Sequence, residues 1–279
     1  MFEIIFLFVL ALIWIIFATV QDMRQREVAN WLNFSLIIFA IGFRFFYSLF
    51  FKSDFAFFYQ GLIGLGIFFL IGNLLYYGKM FAGGDAKLMI ALGAILPFSE
   101  DLIINVKTFT VFFILFLLVG ALYSISASIF LSIKSFKKFK KEFLVQLKKN
   151  KRLISLLIFL ALILMIFGFS EKIFFSLGIL VFVLPYFYIY VKSVDEACMV
   201  VKVKSDKLTE GDWLYRDVKI GKKVIKANWR GLNKKEITFI QKNKKYVTIR
   251  NGIQFTPVFL ISFLLLYFFL RNDLWNSFW

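Results

Sequence analysis

Two acidic residues stand apart from the others in this chain. Asp22 lies in VQDMRQREVANWLN, where a long apolar run ends, and Asp85 lies in KMFAGGDAKLMIALG, where another begins. Most of the remaining Asp and Glu fall in polar stretches, where solvation is reason enough for them. An ionisable group at the edge of an apolar segment invites a functional reading, although acids at helix ends are common. The chemistry that would use such a pair is peptide hydrolysis by an activated water. Two carboxylates within hydrogen-bond reach cannot both ionise cheaply, so they share a proton. One acts as general base on the water and the other as general acid toward the carbonyl and the leaving nitrogen. Their titration would belong to the pair rather than to either residue. Gly83 and Gly84 directly precede Asp85; glycines there permit unusual backbone dihedrals and let an extended substrate approach the main chain. Taken alone, the same stretch also fits an ordinary loop-to-helix turn with Asp85 as its cap.

The chain has no His and a single Cys, Cys198. That removes Ser-His and Cys-His nucleophile pairs, the HExxH zinc site and any intramolecular disulfide. Hydrolytic chemistry must therefore rest on carboxylates, Lys, Ser/Thr or Tyr.

The elements that hold the two acids follow from composition. With 61% hydrophobic residues, 40 Phe and three Pro in 279 residues, the chain has more apolar surface than a water-soluble interior of that size can hide. Apolar runs long enough to cross a bilayer core of roughly 30 Å fall near 2–20, 31–51, 56–77, 86–106, 108–133, 153–169, 173–191 and 255–270. The first lacks the positive n-region of a cleaved secretory signal and reads as a retained span. The fourth is interrupted by Pro97, Ser99, Glu100 and Asp101, and a shorter helix ending near Leu96 would preserve the topology. The expected fold is an all-α polytopic membrane protein of about eight transmembrane helices, with a small mixed α/β cytoplasmic domain.

The formal net charge of +17 arises from 34 Lys and Arg against 17 Asp and Glu. If residue 1 starts outside, 29 of the 34 basic residues lie in cytoplasmic segments and four outside, with Arg44 left inside the second span. That asymmetry favours this orientation. It places Asp22 and Asp85 at the same, cytoplasmic, face on helices that could touch. Arg44 is left either to snorkel or to pair with an acid. No nucleic-acid-reading motif accompanies the charge, so lipid and not nucleic acid is the expected partner.

The chain is thus divided into residues 1–133 with both aspartates, a basic cytoplasmic connector 134–152, two further spans in 153–191, a soluble cytoplasmic domain 192–252, and a last span with a short outside tail, 253–279. The connector, KSFKKFKKEFLVQLKKNKR, spaces its apolar residues as a helix does. It fits a solvated connector or an amphipathic helix on an anionic leaflet. In 192–252, turn signals stand at Glu210-Gly211-Asp212 and Ile220-Gly221-Lys222, and Asn233 with Glu236 predicts a capped helix to Lys242. Gly61, Gly64, Gly66 and Gly72 stripe the third span, where small residues serve close packing within the chain or docking of a substrate helix.

AGGDAKLMIALG resembles the GxGD motif of membrane aspartyl peptidases, and D-x-R-x-x-x-V-A-N-W-L from Asp22 resembles the first aspartate region of the type IV prepilin peptidases, including the archaeal preflagellin enzymes. The tail from Glu210 into the last span also resembles the archaeal branch. This resemblance implies Asp22 and Asp85 as catalytic, Gly83 and Gly84 as flanking glycines, and Lys87, Arg24 and Asn30 as structural or substrate-positioning neighbours. It implies removal of a short leader (class III signal) peptide from pilin or archaellin precursors at the cytoplasmic membrane face, with no metal or organic cofactor. Bacterial relatives carry a cysteine-rich domain and also methylate the new N-terminus; this chain has neither those cysteines nor an obvious methyl-donor site, so peptidase activity alone is implied. Two positions depart from the family pattern: Ala82 stands where GxGD has its first Gly, and Ala29 where IPN has Pro. A proton- or ion-coupled transporter using the same aspartates, and a catalytically silent docking subunit, are the other readings. The oligomeric state and the resting separation of Asp22 and Asp85 are not encoded legibly.

Overall fold

The computed structural model describes residues 2–52, 54–221 and 223–272. Lys222 of the expected turn and the expected outside tail at 273–279 lie outside the described residues. Two compact units are formed, Met1–Tyr123 with Ile253–Trp279, and Ser124–Gly252.

The first unit holds α1 (Phe2–Gln25), α2 (Asn30–Phe51), α3 (Ala56–Tyr77), α4 (Gly83–Gly93), the start of α5 (Leu102–Lys134) and α10 (Thr256–Arg271). α1 buries Leu7, Ala11, Ile15, Ala18 and Asp22. These residues recur every three or four positions and so share one face of the helix. Asp22 therefore continues a buried apolar stripe and points inward. α10 packs along α1, stacking Phe263 and Tyr267 on Phe8 with ring centroids 4.8 and 4.1 Å away.

The expected fourth span is not one helix. α4 has 11 residues, and α5 starts only at Leu102. At a rise of about 1.5 Å per residue α4 is roughly 16 Å long, too short to cross a bilayer core alone. The interruption falls at Pro97, Ser99, Glu100 and Asp101, as their backbone chemistry demands. The segment that follows α4 is tied by side chains. Asn105 donates to Gln60 Oε1 at 3.0 Å and to the Ser99 carbonyl at 2.8 Å, and accepts from the Ser99 amide at 3.0 Å.

Arg44 neither snorkels nor pairs with an acid. It is fully buried and donates to the carbonyls of Ala94 at 2.9 Å, Ile95 at 3.1 Å, Phe57 at 3.0 Å and Pro97. The C-terminal carbonyls of a short helix have no partners within the helix. A guanidinium presents five donors in a fixed fork, so one Arg satisfies several at once. Gly61 makes room for it: a Cβ there would stand 2.4 Å from Arg44 Cδ.

Three glycines of α3 thus serve packing within the chain. Besides Gly61, Gly64 lies against the Gly93 carbonyl and Pro97, and Gly72 against Ile90 and the Ala86 carbonyl. Gly66 has nothing within 4 Å of its Cβ position among the described residues.

In the second unit, α8 (Lys172–Cys198) packs with α7 (Lys151–Phe167) and α6 (Phe136–Lys149). α6 is a separate helix bent by 73° from α7, with Phe139 edge-on to Tyr190 of α8. α8 continues past residue 192, so the strand-containing part starts later than expected. Its strand β1 (Val200–Lys204) and β2 (Trp213–Leu214) pair antiparallel with opposite edges of β5 (Tyr246–Arg250). β3 (Val218–Ile220) and β4 (Lys223–Ile225) form a hairpin entered through Gly221 at φ 58. α9 (Lys234–Asn243) carries the expected capping box: Asn233 accepts from the Glu236 amide at 2.9 Å, and Glu236 from the Asn233 amide at 3.0 Å.

Among the described residues, five helices are long and apolar enough to cross a membrane: α1, α2, α3, α5 and α8. Counting the bent pair α6 and α7 as one span gives six, and α10 is a shorter apolar helix.

Candidate active site

Asp22 and Asp85 come together at one end of the first unit. Asp22 sits one turn before the end of α1 and is only 8% exposed. Asp85 is in the first turn of α4 and half-buried. They are close enough for the charge of Asp22 to act on Asp85. Ala82 is the N-cap of α4, so Asp85 is not the cap of that helix. The backbone amide of Ala82 faces its carboxylate.

The loop after Asp22 is built to meet α4. The Arg26 amide closes on the Asp22 carbonyl at 2.7 Å, with Arg26 at φ 60, and the Ala29 amide donates to Gln21 Oε1 at 3.0 Å. Val28 is then turned inward, 4% exposed. Gly84 lies directly on it: a Cβ at Gly84 would be 3.4 Å from Val28 Cβ and 3.6 Å from its amide nitrogen. Neither Gly83 nor Gly84 has a positive φ. Both are helical residues of α4, so the expectation of unusual dihedrals at the helix start is corrected.

Lys87 and Asn30 join the same two segments, with Lys87 Nζ donating to Asn30 Oδ1. Arg24 is exposed on the last turn of α1. Both departures from the family pattern fit their backbone. Ala29 has φ −62, which proline would share, but its amide makes the bond to Gln21 that proline could not. Ala82 has φ −69, a value that needs no glycine.

Two neighbours had no sequence signal. Thr256, at the start of α10, donates its hydroxyl to Asp22 Oδ2 at 2.8 Å. It is more than 230 residues away in sequence, in a stretch that reads simply as the entry to an apolar helix. Tyr123 on α5 also lies within electrostatic reach of Asp22.

Beside the pair, α2, α3 and α4 enclose a largely apolar groove of about 690 Å³, running from Gly83, Lys87 and Tyr76 to Leu62 and Leu65. Gly66 lines it, as does Asn33, whose buried amide has no hydrogen-bond partner among the described residues. Among the described residues no group of three or more His, Cys, Asp or Glu is placed to hold a metal ion. The arrangement sets two carboxylates within electrostatic reach of each other, next to a largely apolar groove.

Comparison with known proteins gives the same direction. The model of the type IV leader peptidase family matches residues 9–125. The chain is 30% identical over 90 residues to a preflagellin peptidase of Methanococcus maripaludis and 28% identical over 90 residues to one of Methanocaldococcus jannaschii. Each match covers 32% of this chain and 38% of the relative. No solved structure matches the chain. The segment carrying Asp22 and Asp85 thus lies within the part of the chain, residues 9–125, that is similar to the type IV leader peptidase family.

Proposed function

We propose that the protein is a membrane aspartyl endopeptidase that removes the leader peptide from archaellin or type IV pilin-like precursors. The observation that carries this reading is the meeting of Asp22 and Asp85 at one end of the first unit, held by Val28 against Gly84. The names of the relatives, preflagellin peptidases, supply the substrate class. The transporter reading is not favoured: both acids lie at one edge of the helical unit, whereas coupled transporters bind at the midplane on broken helices.

In the proposed reaction one carboxylate takes a proton from water as its oxygen adds to the scissile carbonyl carbon. The other carboxyl gives its proton to the carbonyl oxygen. Collapse of the resulting gem-diol breaks the C–N bond: the proton taken from water goes to the leaving nitrogen, and one diol hydroxyl returns its proton to the other carboxylate as the C=O re-forms. Lys87 and Asn30 brace the two acid-bearing segments. The groove beside Gly83 is the seat we assign to the apolar helix that follows the leader in such precursors.

The proposed topology puts the N-terminus outside and the pair at the cytoplasmic face. Eight crossings remain the best count. The segment from Asp85 to Glu100 starts beside Asp22, and Glu100 ends 2.8 Å from Lys52, which itself neighbours Glu3 at the far end of α1. It therefore traverses the unit although α4 is short. α10 does the same, from Thr256 at Asp22 to Tyr267 at Phe8. The catalytic helices, basic connector, two further helices, strand-containing domain and last helix then follow in the order read from sequence.

The test is mass spectrometry of products from leader-bearing archaellin and pilin precursors incubated with detergent-solubilised protein. A single cut between the basic leader and the apolar helix is expected. Folded protein that cuts none of them would overturn the reading.

A further inference from the structure

We propose that Thr256 is a positioning residue for the peptidase reaction, holding Oδ2 of Asp22 so that Oδ1 is left to meet the water. The inference rests on the peptidase reading above and adds α10, which lies beyond the matched residues 9–125, to the machinery.

Asp22 Oδ2 receives two donors from one residue: the Thr256 hydroxyl at 2.8 Å and the Thr256 amide at 3.5 Å. Among the described residues no hydrogen bond reaches Oδ1. Thr256 is fully buried and is the first residue of α10, followed by a proline in the first turn. The first amides of a helix have no partner within it and carry the positive end of its dipole. A carboxylate placed there receives both the hydrogen bond and the dipole. The β-branched side chain of Thr is stiff about its first torsion, so its hydroxyl is aimed.

The start of α10 reaches the other acid-bearing segment as well. The Phe255 ring lies 6.0 Å from Phe81, four residues before Asp85, and Phe259 lies 6.1 Å from the same ring. Phe255 is itself seated on Gly120, where a Cβ would come within 3.0 Å of its ring. One helix start therefore fixes the carboxylate of Asp22 and packs against the approach to Asp85.

The consequence is an asymmetric pair. Both acids sit at a helix N-terminus, Asp22 at that of α10 and Asp85 in the first turn of α4, but among the described residues Asp22 alone also receives a side-chain hydroxyl, while Asp85 has the facing amide of Ala82. Hydrogen bonds to the charged form favour that form. The shared proton then rests on Asp85, which makes Asp22 the base toward water and Asp85 the acid toward the carbonyl oxygen.

The test compares Thr256→Val, which keeps the shape and loses the hydroxyl, with Thr256→Ser, which keeps the hydroxyl. Cleavage of a leader-bearing archaellin precursor is followed over pH, with kcat and KM measured separately. Thr256→Val should lower kcat about 10- to 100-fold with KM within about twofold, as expected for a misplaced catalytic group. The acid limb of its kcat profile should move to higher pH, and Thr256→Ser should restore both. A Thr256→Val enzyme with the parent's kcat and acid limb would overturn the proposal, as would a Thr256→Ser enzyme as impaired as Thr256→Val. If Thr256→Val does not fold, Thr256→Ala and Thr256→Ser are held to the same two readouts. If the parent cleaves no precursor, the peptidase reading fails by itself. Infrared titration of the Asp22 carboxyl, assigned by its loss in Asp22→Asn, then decides on Thr256: an unchanged titration in Thr256→Val overturns the contact's role.

Discussion

Gly84 rests on Val28: a Cβ at its position would lie in contact with Val28, 3.4 Å from its Cβ. The two residues belong to the two acid-bearing segments, 56 positions apart in the chain, and their contact joins those segments. The glycine before the second aspartate thus packs against the loop that follows the first.

Gly84→Val should lower cleavage about 100-fold with little loss of thermal stability, because small displacements at reacting groups cost about that much. Gly84→Ala should remain within about tenfold of the parent, since a methyl needs the neighbour to yield only slightly. Val28→Ala in the Gly84→Val background should recover part of the loss, because contacting residues couple. Initial rates and melting temperatures of the four proteins check this.

Arg44 is the main support of the α4 C-terminus. Arg44→Ala leaves four buried carbonyls without their donor and should destabilise the protein by about 3–5 kcal/mol, in the range for breaking a buried charged network. Arg44→Lys should rescue little, because an ammonium lacks the fork of donors. Gly61→Ala should also be destabilising, as its methyl would meet Arg44 Cδ at 2.4 Å. Melting in detergent measures all three.

Lys87 and Asn30 brace the site without touching the proposed reacting atoms. Lys87→Met and Asn30→Ala should each reduce kcat by less than about tenfold, and the double variant should lose no more than the worse single, the signature of one shared contact. A double-variant cycle on cleavage rate tests it.

The proposed topology is checked by labelling. In a Cys198→Ser background, Lys172→Cys should react with a membrane-impermeant maleimide on intact cells, and Lys141→Cys should react only after lysis. The reverse pattern would invert the orientation and move the aspartate pair to the outer face.

Much of this was legible because the chemistry is local. The apolar runs, the two aspartates with their glycines, the capping box at Asn233 and Glu236, and the interruption at Pro97 all follow from neighbours within a few residues. What escaped depends on contacts far apart in sequence. Arg44 looked like a stray charge because its partners are backbone carbonyls, which no sequence displays. Thr256 looked like the entry to the last helix because its partner, Asp22, lies at the other end of the chain. Gly83 and Gly84 were expected to allow unusual dihedrals and close approach of a substrate; both are instead ordinary helical residues in dihedral terms, with Tyr76 and Val28 as neighbours that only the fold brings next to them.

The central claim is that Asp22 and Asp85 work as one catalytic pair. The most direct measurement is single-turnover cleavage of an archaellin precursor by the parent, Asp22→Asn and Asp85→Asn, with folding verified by melting. Both variants should be slower by about a thousandfold or more, the scale of lost acid–base catalysis, and the double variant should be no slower than either single. Cleavage at near the parent rate by either folded variant would contradict the account.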